Sequence, residues 1–193
     1  LIDKVSSKIL KDDKPMTQNE CFQIAKLALF NVKLLNELEN IGHEELKNLI
    51  KDVHEKLSIE EQPALINQST YLQFAYVTLV WLWESINIKD KDDFFIKLKA
   101  RAHKRELAFP DASQISGERA LSDWKMLISL IRNALSQGSV EIKNDAFIFS
   151  DQKKFGKRKE IVPTTLTMSA TELANISETV FWTINEIIPP ISK

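Results

Sequence analysis

The most informative stretch of this 193-residue chain holds Arg132, Asn133 and Gln137. They lie in the stretch Leu130-Ile131-Arg132-Asn133-Ala134-Leu135-Ser136-Gln137-Gly138-Ser139-Val140-Glu141. On a helix, Arg132 and Ser136 are one turn apart on a common face, and position 137 falls at the helix end, where a side chain can turn inward. An arginine there stabilises negative charge but cannot take a proton. Gln137 donates and accepts hydrogen bonds and does not titrate near neutral pH. The plain structural alternative for Arg132 is a helix-end arginine paired with a carboxylate.

Two basic runs carry no acidic residue. Lys97-Leu98-Lys99-Ala100-Arg101-Ala102-His103-Lys104-Arg105 holds five Lys/Arg, and Lys153-Lys154-Phe155-Gly156-Lys157-Arg158-Lys159 holds another five with one aromatic. Phosphate binding and base stacking need these ingredients. A solvated helix face and a solubilising loop are the plain alternatives. His43 and His54 do not have the two-turn spacing of a helical metal-ligand pair, so exposed helix histidines are the better reading. Cys21 lies on an apolar stripe and reads as a packed thiol. Trp81, Trp83, Trp124 and Trp182 fall on helices expected to be buried, and read as core or subunit-interface residues.

Composition narrows the classes. Four glycines in 193 residues lean away from a turn-rich β-sandwich or barrel, and neither phosphate-binding glycine loop is present. A single cysteine excludes an intrachain disulfide framework and a cysteine-based zinc site. A net charge of −1 means that any nucleic-acid contact is made by local patches. Leu1–Lys14 has no apolar core of signal-peptide length. With one cysteine this points to a reducing compartment, with the cytoplasm as the default. The chain begins without Met, as a fragment or a trimmed chain would.

The elements that must position these residues are mainly helical. Residues 1–16 read as an N-terminal extension and 17–193 as one domain. Thr17-Gln18-Asn19-Glu20 is a capping box that opens a helix with Cys21, Ala25, Ala28, Leu29 and Val32 on its apolar side. A second amphipathic helix runs from about His43 to Leu57, with Leu46, Leu49, Ile50, Val53 and Leu57 on one face, and residues 58–70 read as a loop. Tyr71–Ile86 is too short for a membrane span and reads as the central helix of a bundle. Asp90, Asp92 and Asp93 read as turn formers in a polar link. Helices follow at Phe94–Leu107 and Arg119–Leu135, the second stopping near Gln137 because Gly138 suits the residue after a helix. Val140–Lys143 and Ala146–Phe149 around Asn144-Asp145 predict a β-hairpin. Asp151–Lys159 reads as a basic loop, and Ile161–Met168 as a short strand interrupted by Pro163. Ser169-Ala170-Thr171-Glu172 is a second capping box, opening a last helix to about Ile188.

The motif stretch resembles the signature of the HEPN domain family. In that family a late helix carries an Arg, commonly followed by a polar residue, and four to six residues on comes a His. Arg132, Asn133 and the small residues around Gly138 match, while Gln137 occupies the His position. The hairpin and capped last helix resemble a HEPN branch with a β-hairpin after the motif. The resemblance implies a mainly α HEPN-like helical bundle and a metal-independent ribonuclease of a toxin–antitoxin or defence setting. It implies a homodimer that joins two motifs in one cleft, RNA as substrate, an antitoxin protein as a further partner, and no cofactor, metal or membrane. It further implies that Arg132 steadies the phosphorane, that Asn133 orients the pair, and that position 137 moves the proton of the RNA 2′-hydroxyl. Lys153, Lys154, Lys157, Arg158 and Lys159 are the expected RNA-binding residues. Glutamine at 137 fits a disabled version of an active enzyme or a non-catalytic dimerisation or RNA-binding branch.

Overall fold

The computed structural model describes residues 17–41, 44–57, 67–86, 91–117, 121–155 and 160–187. Its helices are α1 (Gln18–Ile41), α2 (Glu44–Leu57), α3 (Gln68–Tyr76), α4 (Trp83–Ser85), α5 (Lys91–Lys104), α6 (Trp124–Gln137) and α7 (Ala170–Ile187). A π-helical segment, Val77–Leu82, joins α3 to α4. The strands are β1 (Ile115–Gly117), β2 (Val140–Lys143), β3 (Ala146–Phe155) and β4 (Glu160–Ser169). Among the described residues no helix is long and apolar enough to cross a membrane.

Both capping boxes form. Glu20 accepts from the Thr17 N–H at 2.7 Å, and Glu172 from the Ser169 N–H at 2.7 Å. Each hydroxyl in turn accepts from the glutamate N–H. These reciprocal bonds satisfy N–H groups that a helix start would leave orphaned. α3 starts earlier than its apolar run suggests, because the Asn67 side chain caps it by accepting from the Ser69 N–H.

The apolar stripes meet in one core. α7 packs against α3, α5 and β4, α6 against β3, and α1 against α3 and the π-helical segment. Phe22 and Phe181 stack with centroids 5.3 Å apart, and Phe94 meets the Trp83 edge at 4.9 Å. The π-helical segment buries Thr78, Leu79, Val80 and Leu82 together, more than one stripe of a regular helix would place inside. Trp81 pays for that phase change by standing 42% exposed, and Trp182 is 37% exposed, so of the core and subunit-interface readings these two do not take the core one. Leu49, on the apolar face of α2, is exposed.

The β region is larger than a hairpin. Four antiparallel strands are ordered β1-β4-β3-β2. Asn144 and Asp145 both have positive φ, at 50° and 60°, as a two-residue type I′ turn requires. The Gln68 amide fixes that turn by donating to Asp145 Oδ1 at 2.8 Å. β3 does not stop at Phe149. It continues through Asp151 to Phe155, pairing Ser150↔Thr165, Asp151↔Thr164 and Phe155↔Glu160 on β4. The first half of the expected basic loop is therefore strand. Pro163 does not interrupt β4, because β1 pairs only with Thr164, Thr165 and Leu166. Pro163 lies just beyond them, where no β1 residue needs its missing N–H.

Two helix starts also differ. α6 begins at Trp124, with Asp123 accepting from the Met126 N–H at 2.7 Å, and not at Arg119, which lies outside the described residues. α5 begins at Lys91, so Asp92 and Asp93 are first-turn residues, where carboxylates suit the helix dipole, rather than turn formers.

Candidate functional site

The motif occupies the closing turns of α6. Leu127, Ile128, Leu130, Ile131, Ala134 and Leu135 turn into the core, leaving Arg132 and Asn133 half-buried and Ser136 and Gln137 exposed. The exit is a Schellman arrangement. Gly138 has φ 66°, its N–H donates to the Leu135 carbonyl at 3.3 Å, and the Ser139 N–H donates to the Ala134 carbonyl at 2.8 Å. The next bond ties this exit to the sheet: the Ser150 N–H donates to the Ser139 carbonyl at 3.0 Å.

That tie brings Asp151 to the motif. The inner face of β3 reads Phe147, Phe149, Asp151, and the inner face of β4 reads Thr164, Leu166, Met168. Both strands thus turn polar at the register pair Asp151↔Thr164. Asp151 is only 3% exposed, and its Oδ2 accepts from Asn133 Nδ2 at 3.4 Å. A carboxylate offers only acceptors, so the amide turns its NH₂ toward Asp151 and leaves Oδ1 for whatever lies beside it. Thr164 Oγ1 is buried with no hydrogen-bond partner among the described residues. Asn133 and Gln137 are four residues apart and share a face of α6.

Of the sequence-expected site residues, Arg132, Asn133 and Gln137 come together at one helix end. No described residue pairs with the Arg132 guanidinium. Lys153 and Lys154 lie on β3, with backbones paired to Val162 and Ile161. Lys157, Arg158 and Lys159 lie outside the described residues. The basic run on α5 is largely engaged in structure. Arg101 bonds Glu186 at 2.6 Å, Arg105 bonds Glu178 at 2.9 Å, and Lys97 pairs with Asp93 at 3.0 Å. It is a helix face tied to α7, with Lys99, His103 and Lys104 exposed.

Cys21 is buried, as its stripe suggests. Among the described residues no three His, Cys, Asp or Glu side chains are close enough to hold a metal ion. His43 lies outside the described residues, as does the side chain of His54.

Sequence reasoning missed Asp151 and Thr164. The signal was present as alternation: Phe147 and Phe149 point inward, so a strand continued by two residues turns Asp151 inward as well. Comparison with protein-family models, with curated proteins and with solved structures gave no match.

Proposed function

We propose that this chain is an RNA-handling domain of the HEPN ribonuclease type, with an active-site end that holds Arg132 and Asn133 and lacks the proton-transfer group at position 137. The observation that carries the reading is the fixed amide. Asn133 is held by a buried carboxylate one residue from an arginine that no described residue neutralises, at a helix end fastened to a sheet. Arg132 would bind the scissile phosphate and stabilise the phosphorane. The 2′-hydroxyl would attack the adjacent phosphorus and expel the 5′-oxygen, leaving a 2′,3′-cyclic phosphate. Asn133 would align the attacking hydroxyl through Oδ1. Two copies related by a two-fold axis would combine their motifs in one cleft, the commonest closed symmetry. An antitoxin protein would be the natural inhibitor of such a cleft.

Gln137 favours the second reading, a non-catalytic dimerisation or RNA-binding module, because an amide cannot accept the 2′-hydroxyl proton.

The deciding experiment is Gln137→His, assayed by single-turnover cleavage of total RNA in EDTA with end-group analysis. The expected outcome is a gain of about 10²–10⁴ in rate with 2′,3′-cyclic phosphate ends, abolished again by adding Arg132→Ala. Equal activity in the Gln and His forms, or cleavage that needs magnesium, overturns the mechanism. RNA binding without cleavage in either form favours the module. Sedimentation should find a dimer at micromolar concentration, and a monomer overturns the shared cleft.

A further inference from the structure

The opposite end of α6 carries a cleft that the motif does not use. It has a volume of about 710 Å³ and lies between α5 and the start of α6. Its lining includes three aromatics, Phe95 from α5, Phe109 from the segment after it and Trp124 at the first position of α6, with the carboxylates Asp92 and Asp123 beside Lys99 and Lys125. Phe109 and Trp124 meet edge-to-face with centroids 5.5 Å apart. Two cations overlook them. Lys125 Nζ stands 6.0 Å from the Phe95 ring centroid and 3.6 Å from Asp92, and Lys99 lines the same cleft. Ile96 lies at the rim and is 68% exposed, the most exposed large apolar side chain among the described residues.

Lys125 of the cleft also shares one face of α6 with the motif. Lys125, Ser129, Arg132 and Ser136 are spaced by four, three and four residues, which places them on a single stripe of α6. This stripe lies away from the core: Lys125 and Ser136 are exposed, and Ser129 and Arg132 are half-buried. Lys125 and Arg132 are about 10 Å apart along the axis at the rise of a helix. Two cations with hydroxyls between and beyond them make a polar track from an aromatic cleft to the motif.

We propose that this cleft is a base-binding subsite for single-stranded RNA, with Lys125, Ser129 and Arg132 guiding the backbone from it to the motif. The inference rests on the RNA reading above and names the part of the substrate that a second site would take. Aromatic faces accept any base by stacking, and lysines beside them meet the flanking phosphates. Duplex RNA buries its bases in its own stack and offers none to such a cleft.

The test uses the chain as it stands with a fluorescein-labelled single-stranded oligoribonucleotide carrying 4-thiouridine. Binding is read by anisotropy, and ultraviolet cross-links are mapped by mass spectrometry. Ile96→Glu and Lys125→Ala alter exposed side chains and leave the core intact. Cross-links within residues 95–125 are expected, with Ile96→Glu weakening binding about fivefold or more. Lys125→Ala is expected to lower the salt dependence by about 0.7 in log–log slope. Wild-type affinity in both variants, with cross-links only near Arg132 or on β3, overturns the subsite and leaves the RNA reading standing. A duplex that competes as well as the single strand also overturns the subsite. An unmodified chain that binds no RNA overturns both.

Discussion

Glu178 and Asp151 are both carboxylates drawn largely out of water, and they engage different parts of the molecule. Glu178 on α7 has a side chain only 16% exposed and collects three donors. Lys33 of α1 lies at 2.9 Å, Arg105 just past α5 at 2.9 Å, and the Trp182 indole at 3.2 Å. Burial pushes its carboxyl up, but the hydrogen bonds from Arg105, Lys33 and Trp182 outweigh that and hold it at about 2. Asp151 on β3 accepts from a neutral amide, Asn133. The first carboxylate binds three elements together and uses up cations to do it. The second aims a polar side chain at the motif. Lys33, Arg101 and Arg105 thus belong to the fold, whereas no described residue pairs with Arg132.

Breaking the Glu178 knot should give a large and pH-dependent change in stability. Glu178→Gln leaves Lys33 and Arg105 facing an uncharged acceptor, at a cost of about 2 kcal/mol, or roughly 4–8 °C in Tm. The folded-state pKa lies below the ordinary 4.5, so the carboxylate's contribution is complete above about pH 4.5. It fades as pH falls toward about 2. Denaturant melts of wild type and variant should therefore differ most near neutral pH and converge as the pH is lowered through this window. A constant difference would show that the knot is not electrostatic.

Asp151 should show the complementary behaviour. Asp151→Asn keeps an oxygen that can accept from Asn133 and should cost less than about 1.5 kcal/mol. Asp151→Ala removes the acceptor and should cost about 1–3 kcal/mol in thermal or denaturant unfolding. In the Gln137→His background, Asp151→Ala should also lower kcat for RNA cleavage with little change in KM, because it frees the amide that, on the proposed reading, would align the attacking group. Asp151→Asn should recover much of that loss. Glu178→Gln in the same background should leave the cleavage rate unchanged below its lowered Tm. Equal losses in kcat from both carboxylates would erase the distinction between them.

Much of this architecture was legible in the sequence because local chemistry dictates it. The Thr17 and Ser169 capping boxes, the Asn144-Asp145 turn and the Gly138 exit each need particular residue types at fixed offsets, and all four formed. Pairing over distance was less legible. β1 is three residues long and has no alternating run, so only its pairing with Thr164, Thr165 and Leu166 marks it as a strand. The lysines at 153 and 154 suggested a loop by composition, yet β4 extends β3 beneath them. The α5 cations looked free because Glu178 and Glu186 lie more than seventy residues away in sequence. At the candidate site, Arg132, Asn133 and Gln137 were readable because they lie within six residues on one helix. Asp151 was not, because it arrives from another element.

Gly138 offers the smallest and most local test of how firmly the motif end is set. Its φ of 66° lies in the left-handed region, and a Cβ added there meets nothing within 4 Å. Gly138→Ala therefore has no clash to relieve and isolates the backbone cost, about 1–2 kcal/mol for an L-residue in this conformation. That corresponds to roughly 2–8 °C in Tm. Gly138→Asn should cost less, because asparagine enters the left-handed region more readily. If strain instead loosens the exit, the Ser139 and Ser150 amides, which donate to the Ala134 and Ser139 carbonyls, should exchange hydrogen faster in Gly138→Ala. The Lys33 and Arg105 contacts to Glu178 lie on other elements, so amide exchange in α7 should not change. Faster exchange in both places would mean that the two regions open as one unit.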